Sequence, residues 1–256
     1  MINTEKKTKY VMIDDTIEER GNTLRRIKAV RDFGNVKVGD LGGYIEKESN
    51  LSHFGNCWVY DGAAVYERAQ VFDNVKVSGS AEVYGYAKLF DNSSVCHGAQ
   101  VFGYAKVRGN AKVCDDAMVS GSADVGGNAS VYDDGCICGN ASAYDNAMIE
   151  GYVSGSSIIY KDGFVDEHIA VEGKARISKH CDTSNIKVLE TSLYTVTIYD
   201  KWIEIGIYCN TIEYWDLVSL ESTHKKYGLS FRKWWKEYRE IVLQLAGIKE
   251  ITDSGF

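Results

Sequence analysis

A repeat of six residues runs through the middle of this chain and leaves few folds open to it. One column of mostly small residues runs Cys57, Ala63, Ala69, Val75, Ala81, Ala87, Ser93, Ala99 and on to Ala147. Two places later stands a column of larger aliphatics: Val59, Val65, Val71, Val77, Val83, Leu89, Val95, Val101 and on to Ile149. Positions two apart in an extended chain share a face, so both columns point inward from one short strand. The residue between them points outward, as does the one that follows. The remaining pair is rich in Gly, Asn and Asp, as in Gly109-Asn110, Asp115-Asp116 and Gly127-Asn128. These residues accept left-handed backbone and bond locally to it, which makes corners. Short strand, corner, short strand describes a polygonal solenoid whose coils pair in parallel about 4.8 Å apart.

Other periods fit poorly. A helix recurs about every 3.6 residues and would not carry this density of Gly, Asn and Asp in its interior. Proline is absent from all 256 residues. Because Pro removes a ladder N–H, its absence suits a backbone committed almost throughout to hydrogen-bonded strands.

The phrases "VRGNAKV", "VSGSADV" and "VFGYAKV" resemble the hexapeptide-repeat family. The resemblance covers the uninterrupted hexads and, more loosely, residues 36 to 178. It implies a triangular left-handed parallel β-helix with three hexads per coil; period six alone supplies neither the hand nor the number of sides. One departure is visible. The family prefers Gly, Ala, Glu or Asp directly after the aliphatic residue, where this chain has Tyr60, Tyr66, Phe72, Tyr84, Phe90 and Phe102. The stretch "TLRRIKAVRDFGNVKVGDLGGYIEKESNLSHFGNCWVYD" is similar to the opening of a group of phage and prophage hexapeptide-repeat proteins, usually described as uncharacterised or as acyltransferases.

A solenoid exposes unpaired strands at its ends and needs caps. "KYVMID" and "TLRRIKAVRDF", joined by a turn near "ERGN", predict an N-terminal β cap over 1–35. The repeat body is expected over 36–178, with a register slip near Ser154-Gly155-Ser156. Beyond it, "YTVTIY" and "WIEIGIY" read as longer strands. "SFRKWWKEYREIVLQLAG" reads as an amphipathic helix with Ser230 as N-cap and Gly247 as stop. Its expected buried face holds Phe231, Trp234, Trp235, Tyr238, Ile241, Val242 and Leu245. The fold class is therefore all-β: a single-stranded left-handed parallel β-helix with an N-terminal β cap and a C-terminal strand-plus-helix cap over 179–256.

Relatives that are hexapeptide acyltransferases imply a His general base and an acyl-CoA substrate held between subunits. Of His53, His97, His168, His180 and His224, only His97 lies within the uninterrupted repeat. One coil away, at eighteen residues, stand Gly79 and Asp115. Asp115 is placed to orient His97, and both residues equally suit an ordinary corner. The related carbonic anhydrases need three converging His, a pattern absent here. Cys96 and Cys114 should stack, and Cys136 and Cys138 share an outward side, but tetrahedral zinc wants four ligands. No metal site is expected. Seven scattered Cys suit a reducing compartment.

The outward aromatics Tyr66, Tyr84 and Phe102 should form a stacked stripe contacted by a second subunit or by the C-terminal element, strongest around Phe102 and Met118. A homo-oligomer is the expected state, and the family resemblance favours a trimer over a dimer. A formal charge of −7 argues against nucleic-acid binding. No apolar run of about 20 residues or apolar signal core occurs, so a cytoplasmic protein without membrane contact is expected. The first functional expectation is a non-catalytic, self-associating binding or scaffold protein of phage or prophage origin, without cofactor, acting on a host protein or small ligand. The alternative is an acyl-CoA-dependent acyltransferase with His97 as base.

Overall fold

Two-residue strands, from Trp58–Val59 to His180–Cys181, stack in parallel into the three faces of a β-solenoid. The computed structural model describes residues 8–182 and 185–248. Gln100 pairs with Glu82 on one side and Met118 on the other, so each coil takes eighteen residues, or three hexads. One face contains Ala64–Val65 through Ala170–Val171, the second Gln70–Val71 through Arg176–Ile177, and the third Trp58–Val59 through His180–Cys181. The two inward columns fill the interior, and nearly every member is fully buried. Strands this short carry little pairing each. Stability comes from the continuous column of buried Val and Ala, in which every coil covers its neighbour.

The corners explain the Gly, Asn and Asp content. A positive φ recurs at six-residue intervals, at Glu67, Asp73, Gly79, Gly85, Asp91 and His97, and continues beyond them. Next to this position runs an amide ladder. Asn56, Asn74, Asn92, Asn110, Asn128 and Asn146 each donate Nδ2 to the side chain one coil on, at 3.0–3.3 Å, ending on the Asp162 carboxylate.

The register slip lies earlier in the chain than Ser154-Gly155-Ser156. Cys136 pairs with Tyr152, sixteen residues on, so the corner between Ile149 and Tyr152 is two residues short. The inward member of the new coil is Val153, and Gly151 takes the small-residue place. A Cβ at Gly151 would lie 2.3 Å from Asp166 O and 2.4 Å from Ile169 O, so only Gly fits the tightened corner. A second short corner precedes His180–Cys181, which pairs with Phe164–Val165 and carries parallel pairing past Ser178.

At the N-terminal end, Tyr10–Glu19 and Asn22–Ala29 form an antiparallel hairpin whose turn residues Arg20 and Gly21 both have positive φ. Its second strand pairs with Leu41–Ile45, which pairs in parallel with Ala64–Val65. The hairpin thus prolongs one solenoid face and covers its edge. Lys9 is buried at its base and donates Nζ to Cys57 O at 2.7 Å.

At the other end, four antiparallel strands, Lys187–Glu190, Thr195–Tyr199, Trp202–Ile205 and Tyr208–Thr211, precede helices α1 (Ile212–Leu217), α2 (Leu220–Tyr227) and α3 (Leu229–Leu245). Val196, Ile198, Ile203 and Ile205 form a second core with Trp215, Phe231, Trp234 and Trp235. Gly228, not Ser230, is the α3 N-cap; at φ +91° it also ends α2, a double duty that needs glycine. Leu243 is buried in this face, whereas Ile241 is exposed. This unit is joined to the solenoid through Glu204. Its buried carboxylate accepts from Tyr160 Oη at 2.8 Å, Tyr199 Oη at 2.6 Å and Ser178 N at 2.6 Å. No helix among the described residues is long and apolar enough to cross a membrane.

Candidate functional site

The corner leading from the third face to the first carries the sequence-predicted pair. A carboxylate in the left-handed corner column ordinarily accepts the backbone N–H of the corresponding residue one coil on. Glu67 does this for Gly85 at 2.9 Å, Asp73 for Asp91 at 3.1 Å and Asp91 for Gly109 at 2.9 Å. His97 occupies this column with φ +57° but has no carboxylate to offer. Its Nδ1 instead lies 2.8 Å from Asp115 Oδ1, while Asp115 Oδ2 meets Asp133 N at 3.4 Å. Asp115 therefore serves both its corner and the imidazole.

A carboxylate accepts, so Nδ1 donates, and in the neutral ring this leaves the Nε2 lone pair as the basic site. The His97 side chain is 68% exposed. The geometry is that of an oriented imidazole facing solvent, suited to taking a proton from an amine or hydroxyl brought to it. Directly before these two residues stand Cys96 and Cys114. Burial, followed by the adjacent Cys96 thiol, pushes the Cys114 thiol up to about 12, which keeps it protonated and a poor nucleophile.

The other histidines lie elsewhere. His53 is buried under the N-terminal hairpin, stacks on Tyr10 at 4.4 Å and accepts Lys9 N–H at 3.2 Å. His180 approaches Asp166 at 3.9 Å, and exposed His168 approaches Glu167 at 3.1 Å. Among the described residues no three His, Cys, Asp or Glu are grouped to hold a metal ion.

Tyr66, Tyr84 and Phe102 stack in series, with centroids 5.2 and 4.9 Å apart and planes within 8° and 2° of parallel. The described element over this stripe is the N-terminal hairpin, not the C-terminal unit. Leu24 and Ile17 pack with Tyr66 and Tyr84, and the Arg20 guanidinium lies 4.7 Å from the Tyr84 ring centroid. Tyr66 is fully buried and donates its hydroxyl to Glu82 at 2.6 Å; burial, then Glu82, raises its pKa well above the usual phenol range. The stack ends at Phe102, which is partly exposed, and Met118 is 40% exposed one coil on.

A second column, Arg68, Tyr86 and Tyr104, stands on the far side of the same corner and escapes a reading that follows only the residue after each aliphatic. Tyr86 and Tyr104 stack at 4.8 Å, and Arg68 covers Tyr86 at 5.2 Å. Its signal is present in the sequence: two tyrosines recur at eighteen residues.

No family model matches the chain. Over 58 residues it is 40% identical to an uncharacterized acetyltransferase, YdcK, of Escherichia coli (strain K12). The matched stretch is 22% of this chain and spans only 18% of that relative's length.

Proposed function

We propose that the chain is an acyltransferase of the hexapeptide-repeat type, with acyl-CoA as donor, His97 as general base and Asp115 as the residue that orients it. The observation that carries this reading is the 2.8 Å contact from His97 Nδ1 to Asp115 Oδ1, which directs Nε2 outward. The partial likeness to a bacterial protein named as an acetyltransferase favours it over a purely scaffolding role.

In this mechanism Nε2 removes a proton from an acceptor amine or hydroxyl as the acceptor's own lone pair attacks the thioester carbonyl. The tetrahedral intermediate then expels the CoA thiolate, which is protonated, and the acylated acceptor departs. Asp115 holds the ring in the required tautomer and stabilises the imidazolium that forms.

A base this open on a single chain works in bulk water. A second copy of the chain closing over the corner would exclude that water and supply a wall for the donor. The active form is therefore a homo-oligomer, a trimer by family likeness, whose contact area includes exposed Met118 and the open end of the Tyr66–Tyr84–Phe102 stack. The protein acts as a soluble cytoplasmic enzyme in this account, on an acceptor from the phage–host setting that the N-terminal stretch resembles.

The test is release of free CoA thiol from acetyl-CoA across a panel of amines and hydroxylated acceptors. Transfer by the native chain that disappears in His97→Asn supports the proposal. Transfer unchanged by that substitution removes His97 from the mechanism.

A further inference from the structure

A groove of about 720 Å³ lies beside the second solenoid face, on the edge where Arg68, Tyr86 and Tyr104 stand. Its chemistry differs from the rest of an acidic chain. Four successive rungs each contribute one cation: Lys47, then Arg68, then Lys88, then Lys106. Lys47 is paired with Glu46. Lys88 and Lys106 are direct register partners, so two like charges project from neighbouring rungs of a parallel ladder, which is unfavourable without a counter-charge. Asp124, the next partner of Lys106, does not relieve it, because both its oxygens are engaged by Arg108 at 2.9 and 3.2 Å. A like-charged pair beside a carboxylate committed elsewhere favours an anion in this groove.

The shape narrows the class. Lys88 and Lys106 repeat at one rung, about 4.8 Å, along the solenoid axis, and Lys47 and Arg68 stand on the two rungs before them, so the matching ligand is extended and carries more than one negative charge. Tyr86 and Tyr104 present exposed edges and hydroxyls, while Gln70, Ser49 and Ser122 add neutral polar groups between the cations. That combination suits a ligand dense in hydroxyls. A single-stranded nucleic acid would need one free aromatic face per base. Here Arg68 and the two rings cover one another, leaving only the outer face of Tyr104.

We propose that this groove binds an extended acidic oligosaccharide of the uronic-acid class. Its carboxylates lie on these cations and its hydroxyls on the Tyr, Gln and Ser side chains. The Lys47–Ser49 turn closes one end, and the ligand runs out past Ser122. The inference stands apart from the transferase reading, since binding here requires neither His97 nor acyl-CoA.

Calorimetric titration of the full chain with an oligogalacturonate spanning four rungs tests it, with a neutral maltooligosaccharide, an oligothymidylate and ADP as comparison ligands. The uronate should bind in a salt-sensitive way, more tightly than the other three. Lys88→Gln with Lys106→Gln should weaken it roughly tenfold or more, and Tyr104→Ala should weaken it measurably. The same charge change on the third face, Lys76→Gln with Lys112→Gln, should leave binding intact. Because these side chains are exposed, circular dichroism should be unchanged in every variant. The proposal is overturned by absence of uronate binding, by tighter binding of the oligothymidylate or ADP, or by equal weakening from the third-face pair.

Discussion

His97 Nδ1 and Asp115 Oδ1 meet at 2.8 Å although eighteen residues separate them, because one coil of the solenoid returns the chain to the same corner. The contact uses a left-handed position at which Asp or Gly is the commoner resident. Asn accepts that conformation as well as His does. His97→Asn should therefore leave the melting temperature nearly unchanged while lowering kcat by about 10²–10⁴. Asp115→Asn should lower kcat less, with KM for the acyl donor little altered. Steady-state kinetics beside thermal melts separate these effects from simple unfolding.

The amide ladder should contribute measurably to stability. An alanine at Asn92 removes both the bond donated to Asn110 and the one accepted from Asn74. The expected loss is about 1 kcal/mol, since each exposed bond contributes at the low end of the usual range. Asn56→Ala removes only a donated bond and should cost less. Denaturant unfolding of the two variants should rank them in that order, and equal midpoints would contradict the ladder's role.

Glu204 holds the C-terminal unit against the solenoid. Replacing it with Ala leaves Tyr160, Tyr199 and the Ser178 N–H without their common acceptor, a loss of about 3 kcal/mol concentrated at the joint. Calorimetry should then resolve two unfolding transitions, the lower belonging to the C-terminal unit. A single transition at the native temperature would show that the joint does not depend on this carboxylate.

Asp200 makes the stability of the same unit depend on pH. Desolvation, reinforced by the Asp182 carboxyl, raises its pKa from 3.8 to about 6. The folded chain therefore holds this proton more tightly than the unfolded one. Its contribution is fully present below about pH 4 and is lost as pH rises through about 6. Asp200→Asn keeps an acceptor for Asp182 N and tolerates the φ of +46°. The variant should melt higher than the native chain at pH 7 and equally at pH 4. Screening at this exposed position limits the gain to within ~1 kcal/mol.

The solenoid was legible because each inward residue meets the same surroundings every six positions, so the pattern repeats its own evidence. The left-handed corners were legible for the same reason. Where the pattern broke, local reading failed. Gly151 looks like one more corner glycine, and only the carbonyls of Asp166 and Ile169 reveal that it is a buried member of the small column. Ser230 looks like a helix cap, but the left-handed Gly228 turns the chain two residues earlier. The His97–Asp115 pair could be named from the eighteen-residue spacing. The hairpin over Tyr66 and the three donors on Glu204 could not, since they join elements whose separation follows no period.

The most direct measurement is calorimetric titration of acetyl-CoA into the native chain and into His97→Asn, with melting temperatures recorded at saturation. Saturable heat and a raised melting temperature are expected in both proteins, with thiol release, once an acceptor amine or hydroxyl is added, only from the native one. Absence of heat together with an unmoved melting temperature in the native chain would contradict it.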